Sequence, residues 1–311
     1  MEARTPERRE DVTVLIATRN RPDALSACLD ALVTASSQLP GEVVVVDQSD
    51  DDATRALVDR LAADGLRVAY ERQPPLGLGA AQNRGADLVS GEVIAVTDDD
   101  CIVDPGWVQR IADAFESEPG LAAVTGRVLP LPPAGDRTEA VATRPSEVAR
   151  RFRGKALPWL VGSGNNFAVR RTWFKAIGGC DVRLGPGSPG QGAVDMDLFY
   201  RLLRAGATIA YDPACLVHHE RQTPAGRMER RYPYGYGIGV EVAQLVLERD
   251  LYGLRILAAW LPARMRALAA GARRGDATRV GEEAAILRGT VAGLLHPLRR
   301  RSGLSGRASG A

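Results

Sequence analysis

Residues 93–100 read Val-Ile-Ala-Val-Thr-Asp-Asp-Asp, an apolar run that ends in three adjacent carboxylates. The apolar part predicts a buried strand, and Asp104-Pro105-Gly106 shortly afterwards predicts a turn. Carboxylates crowded at the mouth of a strand repel one another unless a cation lies among them. Such oxygen ligands suit Mg²⁺ or Mn²⁺, which usually bind through one or two carboxylates and a substrate's phosphates. The stretch is therefore either a metal–diphosphate site or an acidic solvated loop.

Short apolar runs alternate with helical patterns on both sides of this stretch. Strands are predicted at 12–17, 42–46, 67–70, 93–96 and 121–129, and helices at 24–35, 53–63, 79–89 and 107–116. Nearly continuous apolar strands separated by helices predict an α/β fold with a Rossmann-like, mostly parallel sheet covered on both faces. Ligands bind at the carboxyl ends of such strands. The polar segments 18–20, 47–51 and 98–100 all follow predicted strands, so they are expected to face one crevice.

The rest of the chain is less regular. A connection or flap is predicted at 130–153, an extended run at 167–169, a loop that moves on binding at 185–192, a helix around 195–205 and a strand at 208–211. From residue 238 onwards the pattern is helical, and residues 302–311 are predicted to be disordered.

Composition and charge restrict the class of protein. The chain has 311 residues, a length that fits one large domain with an appendage or two domains. Of these residues 45% are hydrophobic and 25% are charged, which is typical of globular proteins. No charge-free stretch of about 20 apolar residues is present and the N-terminal residues are charged, so neither a transmembrane helix nor a signal peptide is expected. Four dispersed cysteines without a CxxC pair predict reduced thiols and a cytoplasmic location.

The net charge of +2 conceals an uneven distribution. Residues 221–311 carry 16 Arg, no Lys and 7 acidic residues, a balance of +9, which leaves −7 for the remainder. The Arg residues alternate with Leu and Ala rather than with aromatic residues. This pattern favours binding of the basic region to the anionic inner face of a membrane over binding to nucleic acid. The alternative is a helical face that is simply exposed to solvent.

The strand ends also suggest what the crevice holds. Thr18, Asn20 and Asp47 can hydrogen-bond a nucleoside, while a metal at 98–100 would hold a diphosphate. The segment Gly77-Leu78-Gly79 is either a close backbone approach at the head of a helix or an ordinary turn. Because the P-loop motif GxxxxGK[ST] is absent, the pattern indicates an activated group donor bound through a metal.

These motifs resemble those of family 2, the inverting nucleotide-sugar glycosyltransferases with the A-type fold. Six segments carry the resemblance in the family's order: VLIATRNR (14–21), VVVDQSDD (44–51), LGAAQNRG (78–85), IAVTDDD (94–100), GSGNNF (162–167), and the block 178–206 with GGCD, VDMDL and RLLRAG. The resemblance implies a transferase domain over 1–220, with a nucleotide-sugar half at about 12–129 and an acceptor half at about 155–220. A basic helical extension would follow over 221–311.

The resemblance also implies roles for individual residues. Asp195 would be the catalytic base, and the acceptor would be a hydroxyl group on a lipid-linked sugar, a polysaccharide or a secondary metabolite. Asp47 would contact the base, usually uracil, which favours a UDP-sugar donor. Contacts to the donor are assigned to Thr18, Arg19, Asn20, Asp47, Asn83, Asp98 and Asp99, and contacts to the acceptor to Asn165 and Asn166. The Mg²⁺ or Mn²⁺ ligands would be Asp98, Asp100 and either His218 or His219.

The sequence departs from the family at two positions. Gln82 stands where an Arg is usual, so the cation near the diphosphate is expected from another of the nearby Arg residues: Arg19, Arg21, Arg72 or Arg84. Val194 stands where the family has a Glu, so acceptor contacts of that Glu are in doubt. A nucleotide-sugar-binding or scaffold protein without activity is the alternative to an enzyme. The segment 231–237, rich in Gly and Tyr, is expected to close over the donor or to line the acceptor channel.

Overall fold

The structure is a computed structural model, and it describes residues 11–35, 42–132 and 139–295. The chain divides into two compact units, Met1–Arg230 and Arg231–Ala311. The disorder predicted for 302–311 and part of the predicted flap at 130–153 lie outside the described residues. The division of the chain into domains made from the sequence stays a prediction.

Unit 1 is built from alternating strands and helices. Its described strands are β1 (Val12–Thr18), β2 (Val43–Asp47), β3 (Val68–Arg72), β4 (Val93–Asp98), β5 (Cys101–Val103), β6 (Leu121–Pro130), β7 (Arg150–Phe152), β8 (Asn166–Arg170) and β9 (Thr208–His219). Its described helices are α1 (Pro22–Ala35), α2 (Ala53–Ala63), α3 (Leu78–Leu88), α4 (Trp107–Ser117), α5 (Pro158–Val161), α6 (Arg171–Ala176), α7 (Val194–Arg204) and α8 (Pro224–Glu229).

The strands form one mixed sheet in the order β3-β2-β1-β4-β8-β6-β9-β5, with β7 paired to β9. Strands β1 to β4 are mutually parallel, β8 runs antiparallel to β4 and β6, and β6 is parallel to β9. The side chains of β2 are all buried, and those of β1 and β4 nearly all, which is why their sequences are almost continuously apolar. The predicted α/β fold with a mostly parallel sheet flanked by helices is confirmed.

Two short strands and the length of β9 differ from the prediction. Strands β5 and β7 have three residues each, too few for a periodic pattern to show in the sequence. Strand β9 was predicted to stop at residue 211, but it continues to His219 past Asp212-Pro213. The continuation is possible because residues 213–215 have no partner on β6, so the proline sits where the ladder needs no amide donor. This extension places His219 opposite Cys101.

Unit 2 consists of α9 (Arg231–Leu247), α10 (Tyr252–Arg274) and α11 (Ala277–Leu294). Residues 231–237 form the first turns of α9, and their expected role in closing over the donor or lining the acceptor channel stays a prediction. Glycines on both helices allow α9 and α11 to lie in direct contact. A Cβ on Gly235 of α9 would lie 2.0 Å from the carbonyl oxygen of Ile286, and a Cβ on Gly293 of α11 would lie 2.2 Å from the carbonyl oxygen of Tyr236. Among the described residues, none of the helices is both long and apolar enough to cross a membrane.

Candidate active site

The carboxyl ends of three parallel strands meet at one edge of the sheet. The register pairs Thr18 with Asp47 and Ala17 with Asp98, so the polar residues that end β1, β2 and β4 are neighbours. The loop that follows β4 continues this edge with Asp99 and Asp100, both almost fully buried. The crevice expected from the sequence is therefore a cluster of buried carboxylates.

Arg21 is the cation that binds this cluster. One of its guanidinium nitrogens donates hydrogen bonds to Asp99 Oδ1 at 2.8 Å and to Asp100 Oδ2 at 2.9 Å. The other donates to Glu220 Oε2 at 2.8 Å. Asp99 Oδ2 also accepts a hydrogen bond from the Thr18 hydroxyl at 2.8 Å. Arg21, at the junction of β1 and α1, thus connects two carboxylates of the acidic run to a third from the end of β9.

The other three candidate cations face different carboxylates. Arg19 lies 3.9 Å from Asp50, Arg72 is paired with Asp52, and Arg84 is paired with Glu71. The sequence could not choose among the four Arg residues, because three lie at strand ends and the fourth in α3, and none of these positions gives the direction of its side chain. The structure brings Arg21 to the acidic run.

The three adjacent carboxylates have different pKa values. Burial raises the pKa of Asp98 well above its ordinary range, and the charges of Asp100, Asp99 and Asp195 add to the shift. Burial likewise raises the pKa of Asp99 to about 6, against the opposing effect of Arg21. Burial would also raise the pKa of Asp100, but His219 and Arg21 outweigh it and keep that pKa below the ordinary value. Asp100 is therefore the member of the run that stays ionised most readily.

Of the two candidate histidines, His219 belongs to this cluster. Its Nε2 lies 3.4 Å from Asp100 Oδ1, and its Nδ1 lies 2.7 Å from the carbonyl oxygen of Glu220. With the Nδ1 proton donated to that carbonyl, Nε2 faces Asp100 and becomes a ligand beside that carboxylate when a metal cation takes the place of its proton. His218 pairs with Ile102 and, because side chains alternate along a strand, projects from the other face of the sheet.

Asp100, Cys101 and His219 form a group that fits a metal ion. Their ligand atoms all lie within 4.8 Å of one another, and all three residues are buried. A carboxylate oxygen and an imidazole nitrogen suit Mn²⁺, and the carboxylate suits Mg²⁺. Burial raises the pKa of the Cys101 thiol well above its usual range, so it packs as a neutral side chain. The residues present therefore fit a divalent cation through Asp100 and His219.

Asp195 lies in the first turn of α7 and is half-buried. Its carboxylate accepts hydrogen bonds from the backbone amides of Gly164, Met196 and Asp195 itself, but burial still raises its pKa. The approach of Gly164 is close: a Cβ there would lie 3.1 Å from the Asp195 Cβ and 3.3 Å from its Oδ2. Asp195 also raises the pKa of Asp98, so both carboxylates act in the same crevice.

Val194, which replaces the family's Glu, has an apolar packing role. A Cβ on Gly79 would lie 3.3 Å from its side chain, and a Cβ on Gly185 would lie 3.0 Å from it. The side chain thus fills the space between the first turn of α3 and the loop that precedes α7. Gly79, at the head of α3, packs against the Asp181 carbonyl oxygen as well as Val194, and the approach of a diphosphate to this segment stays a prediction.

The two asparagines assigned to the acceptor side have different surroundings. The Asn166 amide donates to the carbonyl oxygens of Arg127 at 2.9 Å and Cys215 at 2.8 Å, and accepts from Trp107 Nε1 at 2.9 Å. Asn165 is 2% exposed, and neither of its side-chain amide atoms has a hydrogen-bond partner in the described structure. Buried side-chain amides without hydrogen-bond partners are rare unless a ligand or a water molecule supplies the missing hydrogen bonds. The acceptor assignment of Asn166 is corrected to a structural one, and that of Asn165 stays a prediction.

The residues assigned to the donor are also partly held by the protein. Asp47 is fully buried; its Oδ1 accepts from the Ser49 amide at 2.8 Å and its Oδ2 from the Tyr70 hydroxyl at 2.7 Å. Tyr70 could not be predicted as a partner of Asp47, because only the pairing of β2 with β3 brings the two side chains together. Each carboxylate oxygen retains a second lone pair, so contact between Asp47 and a base stays a prediction.

Two other donor assignments have local structural roles. Both polar atoms of the Asn83 side-chain amide are hydrogen-bonded to the backbone of Cys180, at 2.9 Å and 2.7 Å, so the side chain ties α3 to the loop that follows α6 and is corrected to a structural residue. The Asn20 side chain donates to the Asp50 carboxylate at 2.7 Å and accepts from its amide at 2.9 Å. Asn20 has φ of 56°, a value that Asn tolerates better than most residues.

Replacing Arg21 by Gln should tighten the binding of Mn²⁺ to the nucleotide-free protein by roughly tenfold, because a positive charge beside the metal ligands is removed. The same change should weaken the binding of a nucleoside diphosphate, which loses that charge. Both affinities can be measured, by electron paramagnetic resonance for free Mn²⁺ and by calorimetry for the nucleotide.

Arg19→Gln is the matched control, since Arg19 lies two residues away and faces Asp50 instead. It should leave the affinity for Mn²⁺ unchanged. Weaker Mn²⁺ binding in Arg21→Gln would contradict the idea that the guanidinium and the metal compete for Asp100.

The sheet order and the polar strand ends define a class: the fold is the A-type fold of nucleotide-sugar transferases. The chain belongs to glycosyl transferase family 2, whose sequence model matches residues 13–178, more than half of the chain. The family and the transferase class predicted from the sequence are confirmed. The match ends before Asp195 and His219, so the roles of those two residues rest on the geometry described above.

Curated relatives are similar over much of the chain. A glucosyl-dolichyl phosphate glucuronosyltransferase of Haloferax volcanii is 24% identical over 229 residues, which are 67% of this chain and 69% of that protein. A validoxylamine A glucosyltransferase of Streptomyces hygroscopicus subsp. jinggangensis is 29% identical over 219 residues, 61% of this chain and 51% of that protein. The chain thus spans about half the length of the Streptomyces relative.

Solved structures share the fold. A mannosyltransferase from Pyrobaculum calidifontis, in complex with GDP-Man and Mn²⁺, is similar with a TM-score of 0.62 at 18% identity, over 93% of this chain and 88% of that chain. Residues 1–349 of S. aureus TarS, in complex with UDP, are similar with a TM-score of 0.54 at 17% identity, over 73% of this chain and 65% of that chain. At these identities the likeness shows the fold.

Proposed function

We propose that this protein is a metal-dependent inverting glycosyltransferase that moves a sugar from a nucleoside diphosphate sugar to a hydroxyl acceptor. One observation carries the proposal: the half-buried carboxylate of Asp195, with a raised pKa, acts electrostatically on Asp98, at the edge of the sheet where Asp100 and His219 fit a cation. A base and a cation site in one crevice are what a single displacement requires.

On the donor side, Asp100 and His219 would hold Mg²⁺ or Mn²⁺, which stabilises the charge of the departing diphosphate when bound. Asp98 and Asp99 crowd the same edge, and the Thr18 hydroxyl orients Asp99 through their hydrogen bond. Arg21, released from its carboxylates, would add a second positive charge beside the phosphates. Asp47 would receive the base, and the resemblance to family 2 favours uracil and hence a UDP-sugar.

On the acceptor side, Asp195 would remove the proton from the attacking hydroxyl. A carboxylate within hydrogen-bond reach is the general base that this attack needs. One base acting opposite one leaving group gives a single in-line displacement with inversion at the anomeric carbon. The buried amide of Asn165, next to the Gly164 that contacts Asp195, would hydrogen-bond the acceptor.

Similar proteins support this proposal. The similar mannosyltransferase structure contains GDP-Man and Mn²⁺, and a similar structure of GalNAc-T7 contains UDP, GalNAc and Mn²⁺. The names of the curated relatives refer to acceptors as different as glucosyl-dolichyl phosphate and validoxylamine A. The shared chemistry is a nucleotide-sugar donor and a divalent cation, and that chemistry is what the crevice fits.

Thermal unfolding with nucleotides tests the donor site. UDP with Mn²⁺, at about a hundred times its dissociation constant, should raise the melting temperature by about 5 °C. Asp100→Asn should lose the metal-dependent part of this shift, since Asp100 would be a metal ligand. Asp87→Asn, on the exposed face of α3, should respond as the wild type does. An equal shift in Asp100→Asn and wild type would contradict the proposed metal site.

Hydrolysis of the donor distinguishes an enzyme from a binding protein. With a UDP-sugar and Mn²⁺ but no acceptor, a glycosyltransferase releases UDP slowly as water takes the place of the hydroxyl. A scaffold protein, the alternative that Val194 and Gln82 leave open, would show the thermal shift without release of UDP. Absence of release across a panel of UDP- and GDP-sugars would overturn the proposed activity.

A further inference from the structure

Helix α10 presents an exposed face with a regular pattern. Along that face lie apolar side chains separated by three, four, seven and four residues: Leu251, Leu254, Ala258, Met265 and Ala269. With 3.6 residues per turn, these spacings return to one side of the helix. Leu251 is 71% exposed, Leu254 50% and Met265 54%, so the stripe is open to solvent over much of the helix.

A row of Arg residues runs beside the apolar stripe. Arg255, Arg266 and Arg273 are exposed and are separated by eleven and seven residues, so they also share one side of the helix. Over Tyr252–Arg274 the helix has five Arg and not one Asp or Glu. The positive charge of this face is therefore not balanced by any carboxylate on its own helix.

The opposite side of α10 is occupied by the interior of unit 2. Tyr252, Ile256 and Trp260 are buried, and the Trp260 indole donates a hydrogen bond to the Thr290 hydroxyl of α11 at 3.1 Å. Arg264, on the flank, stacks over Trp260 at 4.9 Å and pairs with Glu283 at 3.3 Å. The fold thus uses one side of α10 for packing and leaves the stripe and the Arg row outside.

We propose that the outer face of α10 lies on an anionic lipid surface, with its apolar stripe among the acyl chains and its Arg row against the headgroup phosphates. An apolar stripe flanked by cationic residues is the pattern of helices that lie in the plane of a membrane interface. The helix, about 35 Å long at 1.5 Å per residue, would place all of these side chains at one depth.

Charge complementarity is what identifies the occupant as lipid. A second copy of the chain would oppose this face with the same Arg row, and α10 itself carries no carboxylate to receive it. Phosphates of a nucleic acid could pair with the Arg row but would leave the apolar stripe in water. An anionic bilayer satisfies both parts of the face at once. The proposal goes beyond the proposed transfer reaction, because it needs only the surface of unit 2.

Vesicle flotation of the full-length protein tests the proposal. Wild type should float with vesicles of phosphatidylglycerol and phosphatidylcholine in equal parts, and not with phosphatidylcholine alone. Replacing Arg255, Arg266 and Arg273 together by Gln should weaken partitioning on the order of a hundredfold, since each Arg near an anionic surface contributes roughly a factor of five. Replacing Leu251 and Leu254 by Ser and Met265 by Gln should reduce the binding that remains at high salt.

The matched control removes the same charge elsewhere. Arg60, Arg67 and Arg110 are exposed on unit 1, and their joint replacement by Gln should leave flotation as in the wild type. Circular dichroism establishes that each variant is folded. The proposal is overturned if the wild type does not float, if the α10 variant floats equally well, or if the control loses as much. A mass by light scattering that falls from dimer to monomer in the α10 variants would assign the face to a second copy instead.

Discussion

Asp195→Asn should reduce kcat for sugar transfer by about a thousandfold, the contribution expected of a well-placed general base. The affinity for UDP and Mn²⁺ should stay close to that of the wild type, because Asn has the same shape and can still accept the amide hydrogen bonds at one of its atoms. Steady-state kinetics and calorimetry on the same preparation measure the two effects. Turnover at the wild-type rate would refute the role of Asp195 as the base.

The pH dependence gives an independent readout of the same group. Burial raises the pKa of Asp195 above the 3.8 of an ordinary Asp carboxyl. The carboxylate is the active form of a base, so kcat should fall as the pH decreases through this raised pKa. The acid limb of the pH profile should therefore lie at a higher pH than that of an exposed Asp.

Asp197 provides the matched control for Asp195. It lies on the same helix, is buried, and is paired with Arg201 at 2.6 Å. Asp197→Asn should therefore lower the melting temperature, because Arg201 loses its charged partner, and should leave kcat nearly unchanged below the transition. A loss of kcat equal to that of Asp195→Asn would mean that α7 has been disturbed rather than a base removed.

The elements that the sequence predicted best are those with a complete local pattern. Helix α2 begins and ends at the predicted residues, and β1, β2 and β4 lie within two residues of their predictions, because their apolar runs and flanking turns are continuous. The segments that were missed depend on distant partners. Strand β5 exists only as the partner of β9, and the glycines at the start of α9 resemble a loop until α11 is packed against them.

The same distinction applies to the candidate site. The acidic run and the strand ends are adjacent in sequence or related by a simple strand pattern, so they could be predicted. Arg21 could not be singled out, because its partner Glu220 lies almost two hundred residues away. The choice of His219 over His218 needed the register of β9 against β5, since that register decides which face each ring occupies.

The adjacent residues Asn165 and Asn166 were assigned the same role from the sequence, and the structure predicts opposite results for their replacement. Asn166→Ala removes three hydrogen bonds and leaves the Trp107 indole and two carbonyl oxygens unsatisfied in the core. Leaving buried groups unpaired costs about 1–3 kcal/mol each, so the protein should lose about 3–5 kcal/mol of stability in total. The melting temperature should then fall by about 6–10 °C.

Asn165→Ala should leave the melting temperature unchanged or slightly raised, because it removes an amide that has no hydrogen-bond partner in the described structure. Its effect should appear in the kinetics instead, as an increase of roughly tenfold in the KM for the acceptor with the affinity for UDP preserved. Thermal unfolding and acceptor kinetics on both variants make the comparison. A loss of stability in Asn165→Ala as large as that in Asn166→Ala would show that the Asn165 amide supports the fold. Wild-type kinetics in a stable Asn165→Ala would remove it from the acceptor site.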